Sequence, residues 1–135
     1  MANTDKALAH YRQALRLEPS SAVARANLAD IHRVLGNETD AERILREGLE
    51  LDQGNAALRH ALGLLLARTG RPEESLMELR EAVKLEPDNR RFIYVLAVAV
   101  NSMGDGQEAV AVLEGIVESA ATGRVVDLDE VRARE

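Results

Sequence analysis

The chain has 135 residues, of which 46% are hydrophobic and only 2% are aromatic, so its core must be built from aliphatic side chains. A formal net charge of −6 argues against a nucleic-acid-binding protein, which needs a basic face to displace counterions. The absence of cysteine excludes disulfides, thiolate metal sites and a cysteine nucleophile.

Apolar residues recur at three- and four-residue steps along the chain, which is the pattern of amphipathic helices. The predicted helices, in chain order, span residues 4–17, 22–35, 39–51, 56–69, 73–85, 90–103 and 106–119. Pro72 suits the first turn of its helix, where its missing N–H would have had no partner. Gly36, Gly70 and Gly104 stand where a helix ends in a left-handed residue before a tight turn. The sequence therefore predicts an all-α protein.

A unit of two helices recurs every 34 residues along the chain, and such a period is the signature of a repeat protein. One such step separates Gly36 from Gly70, and another separates Gly70 from Gly104. Because a helix pair cannot bury its apolar face alone, neighbouring pairs are expected to stack and share a core. The period predicts an α-solenoid of antiparallel helix pairs. Further registers that keep the step are Ala7/Ala41/Ser75/Ala109, Tyr11/Leu45/Leu79/Leu113 and Leu17/Leu51/Leu85.

The repeating unit has a characteristic pair of helices. The first helix carries a leucine followed by a small residue, as in Leu28-Ala29, Leu62-Gly63 and Leu96-Ala97. The second helix carries small residues around a leucine, as in Ala41/Leu45/Gly48 and Ser75/Leu79/Ala82. In these residues the chain resembles the tetratricopeptide repeat (TPR) family, and in particular bacterial-type TPR arrays. The resemblance implies a TPR superhelix of about three and a half repeats.

The resemblance extends over nearly the whole chain. It implies a TPR array in residues 1–121, divided into a half repeat and three repeats at 4–21, 22–55, 56–89 and 90–121. Residues 122–135 carry a thin apolar stripe among charges and are expected to form a short capping helix or a frayed tail. Arg25 and Arg59 depart from the family's pattern, which has a large residue there, so the local packing is expected to be looser.

The resemblance also implies a concave surface, lined by the first helices, on which TPR proteins bind a peptide or a segment of a partner protein. An aliphatic floor with one tyrosine, flanked by arginines, suits an extended or helical peptide. The competing interpretation is a face that is merely solvated, or covered by the chain's own tail. The positions carried over from the family give the candidate groove residues Val23, Asn27, Asp30, Arg33, His60, Leu64, Arg68, Arg91, Tyr94, Val98 and Asn101.

No residue pattern indicates catalysis, a metal or a cofactor, so the chain is expected not to be an enzyme. His10, His32 and His60 share no metal-binding spacing; His32 is expected to pack within its helix pair and His60 to project into the groove. No apolar run reaches the roughly 18–20 residues that a membrane span needs, so a membrane partner is not expected.

Two alternatives to a peptide-binding module stay open. The array begins with a second-type helix that lacks its first helix, so an apolar edge at Leu8, Tyr11 and Leu15 is expected to join two chains as a homodimer. Alternatively, the chain is a non-catalytic arm cut from a larger enzyme, because its repeats resemble the TPR arms that follow multihaem cytochrome domains. The expected location is the cytoplasm by default, or the periplasm if the parent protein is exported.

Overall fold

The computed structural model describes residues 2–104, which form six α-helices joined by short turns. Every predicted helix in this range is confirmed, with each end within two residues of its predicted position. The predicted helix at 106–119 and the tail at 122–135 lie outside the described residues. The helices are α1 (Ala2–Leu17), α2 (Ala22–Val34), α3 (Glu38–Leu51), α4 (Ala56–Arg68), α5 (Pro72–Leu85) and α6 (Arg90–Ser102).

The turns of the repeat are set by residues that also follow the step of 34. Ser21, Asn55 and Asn89 precede the first helices, and each side-chain oxygen accepts a hydrogen bond from the backbone N–H three residues on, at 3.3, 3.0 and 3.2 Å. Such caps satisfy amides that have no partner within the helix. The turn between the helices of a pair uses a glycine in the left-handed region, at φ 82° for Gly36, 78° for Gly70 and 88° for Gly104.

The core is aliphatic and runs through the helix pairs, as the composition predicts. The leucine of each Leu–small pair is buried, and the small residue beside it lets the second helix approach. A Cβ atom on Gly63 would lie 2.7 Å from the side chain of Leu79, so no larger residue fits there without a shift. The Ser75 hydroxyl donates a hydrogen bond of 2.7 Å to the Gly63 carbonyl across the same contact.

The two arginines that depart from the family's pattern form hydrogen bonds that the sequence did not predict. The buried Arg25 guanidinium donates to the Pro19 carbonyl at 3.1 and 3.2 Å and to the Ile44 carbonyl at 3.2 Å. Arg59 donates in the same way to the Gln53 carbonyl, at 3.1 and 3.2 Å. Each arginine therefore ties its first helix to the loop that precedes it, with bonds that a hydrophobic residue does not make.

The first helices form the inner layer of the stack. α2 and α4 contact each other directly, and α4 meets α6 where the His60 and Phe92 rings stack with centroids 4.3 Å apart. The second helices α3 and α5 meet instead through long charged side chains, such as Arg46 and Glu74. The solvent side of the first helices is the surface that the family resemblance predicts to be concave.

Candidate functional site

The inner face is the solvent-exposed surface of α2, α4 and α6, and it carries large apolar side chains. Val23 is 73% exposed, Tyr94 63% and Val98 48%. Leu64, at the position of Val98 in the preceding unit, is half-buried on the same face. Apolar side chains grouped on an ordered surface are typical of sites at which a partner binds. Tyrosine is among the residues that contribute most at protein interfaces.

A depression of about 480 Å³ lies between the first turns of α2 and α4. Val23 and Asn27, both predicted groove residues, line it, together with Asn55 and with Glu86 from the turn before α6. Its volume is within the range of small-molecule pockets, and it is large enough for one or two side chains of a bound peptide. The alanines that make it shallow and largely apolar are Ala22, Ala26, Ala56 and Ala57.

Two of the three predicted groove arginines already have carboxylate partners. The Arg33 Nε lies 2.8 Å from Asp30 Oδ1 on the preceding turn, and the Arg68 Nε lies 3.2 Å from Glu38 Oε1. Exposed pairs of this kind contribute little to stability, but they cancel most of the positive charge on the inner face. Charge attraction therefore contributes little to the binding of a ligand on this face.

His60 does not project into the groove, and that prediction is wrong. Its side chain is only 5% exposed and stacks against Phe92 of the next unit, at an interplanar angle of 19°. Burial, with a smaller contribution from the Arg91 charge, lowers its pKa from 6.5 to about 4. Neither ring nitrogen has a hydrogen-bond partner among residues 2–104. His60 is thus a neutral packing residue between α4 and α6 at pH 7.

The residues of the predicted self-association edge lie on the flank of α1 that faces the rest of the stack. Leu8, Tyr11 and Leu15 are partly buried and pack against the core shared by α2, α3 and α4. They occupy the flank of α1 that faces its neighbour, and the opposite flank carries exposed polar residues, including Lys6 and His10. α1 therefore presents a mainly polar surface to solvent.

Three further residues predicted to line the groove, Asn27, Arg91 and Asn101, lie on α2 and α6. Asn27 is half-buried beside Val23, and Asn101 is exposed near the end of α6. Arg91 is exposed on the first turn of α6, close enough to the His60 ring to affect its pKa. These side chains supply hydrogen-bonding groups around the apolar positions.

A metal or membrane role finds no support in the described part of the chain. Within residues 2–104, no three His, Asp or Glu side chains come together as potential ligands of a metal ion. None of the six helices there combines the length and the apolar character that a membrane crossing needs.

Comparison with known families agrees with this architecture. Two family models, both described as tetratricopeptide repeat, match residues 2–65 and 60–124. The chain belongs to the tetratricopeptide repeat family. TPR repeats are in general a non-catalytic, protein-interacting fold, so membership gives this chain the architecture of an interaction module.

Solved TPR structures resemble the fold, whereas no curated protein matches the chain. MamA from Desulfovibrio magneticus RS-1 is 16% identical, with a TM-score of 0.73 over 90% of this chain and 68% of its own. YrrB, described as a TPR protein with an unusual peptide-binding site, is 24% identical, with a TM-score of 0.67 over 87% of this chain and 60% of its own. The first TPR of Spaghetti (RPAP3), bound to the HSP90 peptide SRMEEVD, is 18% identical, with a TM-score of 0.66 over 76% of this chain and 82% of its own.

Proposed function

We propose that this chain is a non-catalytic module that binds a peptide segment of a partner protein on its inner face. The observation that carries the proposal is the set of exposed apolar residues, Val23, Tyr94 and Val98, on the helices that line the concave side. Keeping such side chains in water is unfavourable, and a bound segment would remove them from it. Two structural neighbours, described as having a peptide-binding site and as bound to a peptide, support the same use of the fold.

The geometry favours a ligand that is recognised mainly by its apolar side chains. One apolar side chain would enter the depression beside Val23, and a second would lie on Tyr94 and Val98. Asn27 and Asn101 would bond to the ligand backbone, because amides both donate and accept hydrogen bonds. The Arg33–Asp30 and Arg68–Glu38 pairs would form a polar rim around these contacts, as is usual at protein interfaces.

The proposal is tested by selecting peptides from a random display library on the folded chain and measuring their affinity by fluorescence anisotropy. The variant Tyr94→Ala/Val98→Ser should bind a selected peptide at least about tenfold more weakly, because interface tyrosines often contribute more than about 1 kcal/mol. Met77→Ser is the matched control, since Met77 is similarly exposed but lies on α5, outside the inner face. Equal loss in both variants, or no loss in the first, would place the site elsewhere.

The division into repeats at 22–55, 56–89 and 90–121, after a half repeat at 4–21, is part of the same proposal. A role as the arm of a larger enzyme would use the same inner face, so the binding experiment applies to it equally. Self-association through Leu8, Tyr11 and Leu15 is the second candidate, and it is less favoured because these side chains already contact the core of their own chain.

A further inference from the structure

Within residues 2–104, the outer side of the stack has two seams built at the same register of the repeat. The α3–α5 seam is the gap between those helices, above α4, and the α1–α3 seam is the gap one unit earlier, above α2. Ion pairs cross the α3–α5 seam, because Arg46 lies 3.5 Å from Glu74 and Arg71 Nη1 lies 3.2 Å from Glu42 Oε2. Arg46 also pairs with Glu42 at 2.8 Å, so three salt bridges form one network.

The α1–α3 seam lacks this closure. Arg12 and Asp40 stand one repeat step before Arg46 and Glu74, yet Asp40 pairs with Arg43 of its own helix at 3.7 Å. Arg12 has no ion pair or hydrogen bond with any residue in the described range. The counterparts of Glu42 and Arg71 are Leu8 and Asn37, which cannot form an ion pair. The seam therefore stays open, as a depression of about 440 Å³.

Charge in the depression is positive, although the chain as a whole carries −6. Arg25 and Arg43 are balanced, because Glu47 lies 3.7 Å from the first and 3.1 Å from the second, and Asp40 adds a second carboxylate. Two further guanidinium groups line the depression, those of Arg12 and Arg16, one helical turn apart on α1. Arg16 bonds to the neutral Gln13 side chain, so its charge is not cancelled there.

The floor beneath these arginines is apolar with one polar exception. Leu15, Leu28 and Ile44 line it, together with His32, which is 7% exposed. The buried His32 Nδ1 has no hydrogen-bond partner in the described part of the chain. The next two units have Leu66 and Val100 at this position, so an imidazole here is particular to the open seam.

We propose that the α1–α3 seam is a second binding site, which takes an acidic segment of a partner protein. Two carboxylates of the segment would face Arg12 and Arg16, whose guanidinium forks match carboxylate geometry. An aliphatic side chain between those carboxylates would lie on Leu15 and Ile44. A peptide segment fits better than a small molecule, because the arginine rim is exposed and the depression is open along the outer surface, whereas small-molecule sites enclose most of their ligand.

The test uses a fluorescein-labelled peptide of sequence Glu-Glu-Leu-Glu-Glu, titrated with the full chain at low salt and followed by anisotropy. We expect saturable binding that weakens as sodium chloride is raised from about 50 to 300 mM, since surface charges are screened over this range. Arg12→Gln/Arg16→Gln should weaken it at least about tenfold. The peptide Gln-Gln-Leu-Gln-Gln should not bind.

The matched control is Arg80→Gln/Lys84→Gln, because these residues stand at the same two positions two units later, on α5. It removes the same net charge and should leave the affinity unchanged. Circular dichroism should show both variants to be folded, since their side chains lie outside the core. If the control variant weakened peptide binding equally, the change in overall charge would explain the loss, and the proposal would be overturned. Binding that does not saturate would overturn the proposal too. Equal binding by Glu-Glu-Ser-Glu-Glu, or complete displacement by equimolar inorganic phosphate, would show that the seam is an anion site only and would also overturn it.

Discussion

The two outer seams show how a repeat can keep its fold while changing its surface. A first helix with a buried leucine lies beneath each seam: Leu28 of α2 beneath the α1–α3 seam and Leu62 of α4 beneath the α3–α5 seam. The α3–α5 seam is closed by the Glu42 network, and the α1–α3 seam, with Leu8 at the corresponding position, is open. The residues that form the core follow the step of 34, whereas those that bridge the seams do not. Conserved packing thus leaves the outer surface free to differ between units.

The largest effect should come from the two leucines beneath the seams. Leu62→Ala should lower the free energy of unfolding by about 2–5 kcal/mol, because it leaves a cavity among tightly packed helices. Leu28→Ala should lie toward the lower end of that range, since Leu28 borders the open depression and its loss enlarges a space that water already reaches. Urea denaturation of both variants measures the difference. A larger loss at Leu28 would contradict the description of the α1–α3 seam as open.

The next effect is a pH dependence at the inner contact between α4 and α6. The pKa of His60 falls from 6.5 to about 4 on folding, so only the unfolded chain gains a proton between these values. The contribution of the neutral His60 imidazole to the free energy of unfolding is fully present above pH 6.5 and is lost as the pH falls toward 4. Between pH 7 and 5 the wild type should lose about 2 kcal/mol more than His60→Leu. Urea denaturation at both pH values gives this difference, and equal losses would show that the imidazole is not buried.

The smallest predicted effect is on the stability that side-chain ion pairs contribute in the closed seam and in the open one. The hydrogen bond from Arg71, assisted by Arg46, lowers the pKa of Glu42 to about 2. Glu42→Gln should therefore cost about 1–2 kcal/mol at pH 7, because the carboxylate is half-buried and bonded to two guanidinium groups. The cost should shrink as the pH falls from 4.5 toward 2, where the wild-type carboxylate takes up a proton.

Asp40→Asn is the counterpart in the open seam and should cost less than about 0.5 kcal/mol, because its ion pair is exposed and lies within one helix. Thermal denaturation at pH 7 compares the two variants directly. Similar costs would mean that the α1–α3 seam is also held together by charge.

The fold could be predicted from the sequence because its determinants are local and repeat. Glycines at a fixed step, a leucine beside a small residue and caps before each first helix specify the helix pairs. The capping residues Ser21, Asn55 and Asn89 stand one repeat step apart, so they belong to the same repeating pattern. The groove positions Val23, Tyr94 and Val98 came from the family resemblance, and their side chains are exposed in the structure.

The sequence did not predict the surroundings of residues that are packed against side chains distant in the chain. His60 is covered by Phe92, which belongs to the following helix pair, so the helix of His60 alone does not indicate its burial. Arg25 fits because Gly48 leaves room for it, as a Cβ there would lie 2.6 Å from the Arg25 Cδ. In α1, periodicity identifies the apolar flank of Leu8 and Tyr11 but not whether that flank faces a neighbour or solvent.

The most direct test of the proposed function is to map a display-selected peptide onto the chain by amide chemical-shift perturbation. We predict the largest shifts on the exposed positions of the first helices, around Val23, Leu64 and Val98, with α3 and α5 nearly unaffected. Shifts confined to the outer surfaces of α3 and α5, with the inner face unchanged, would contradict the assignment of the concave side as the peptide-binding face.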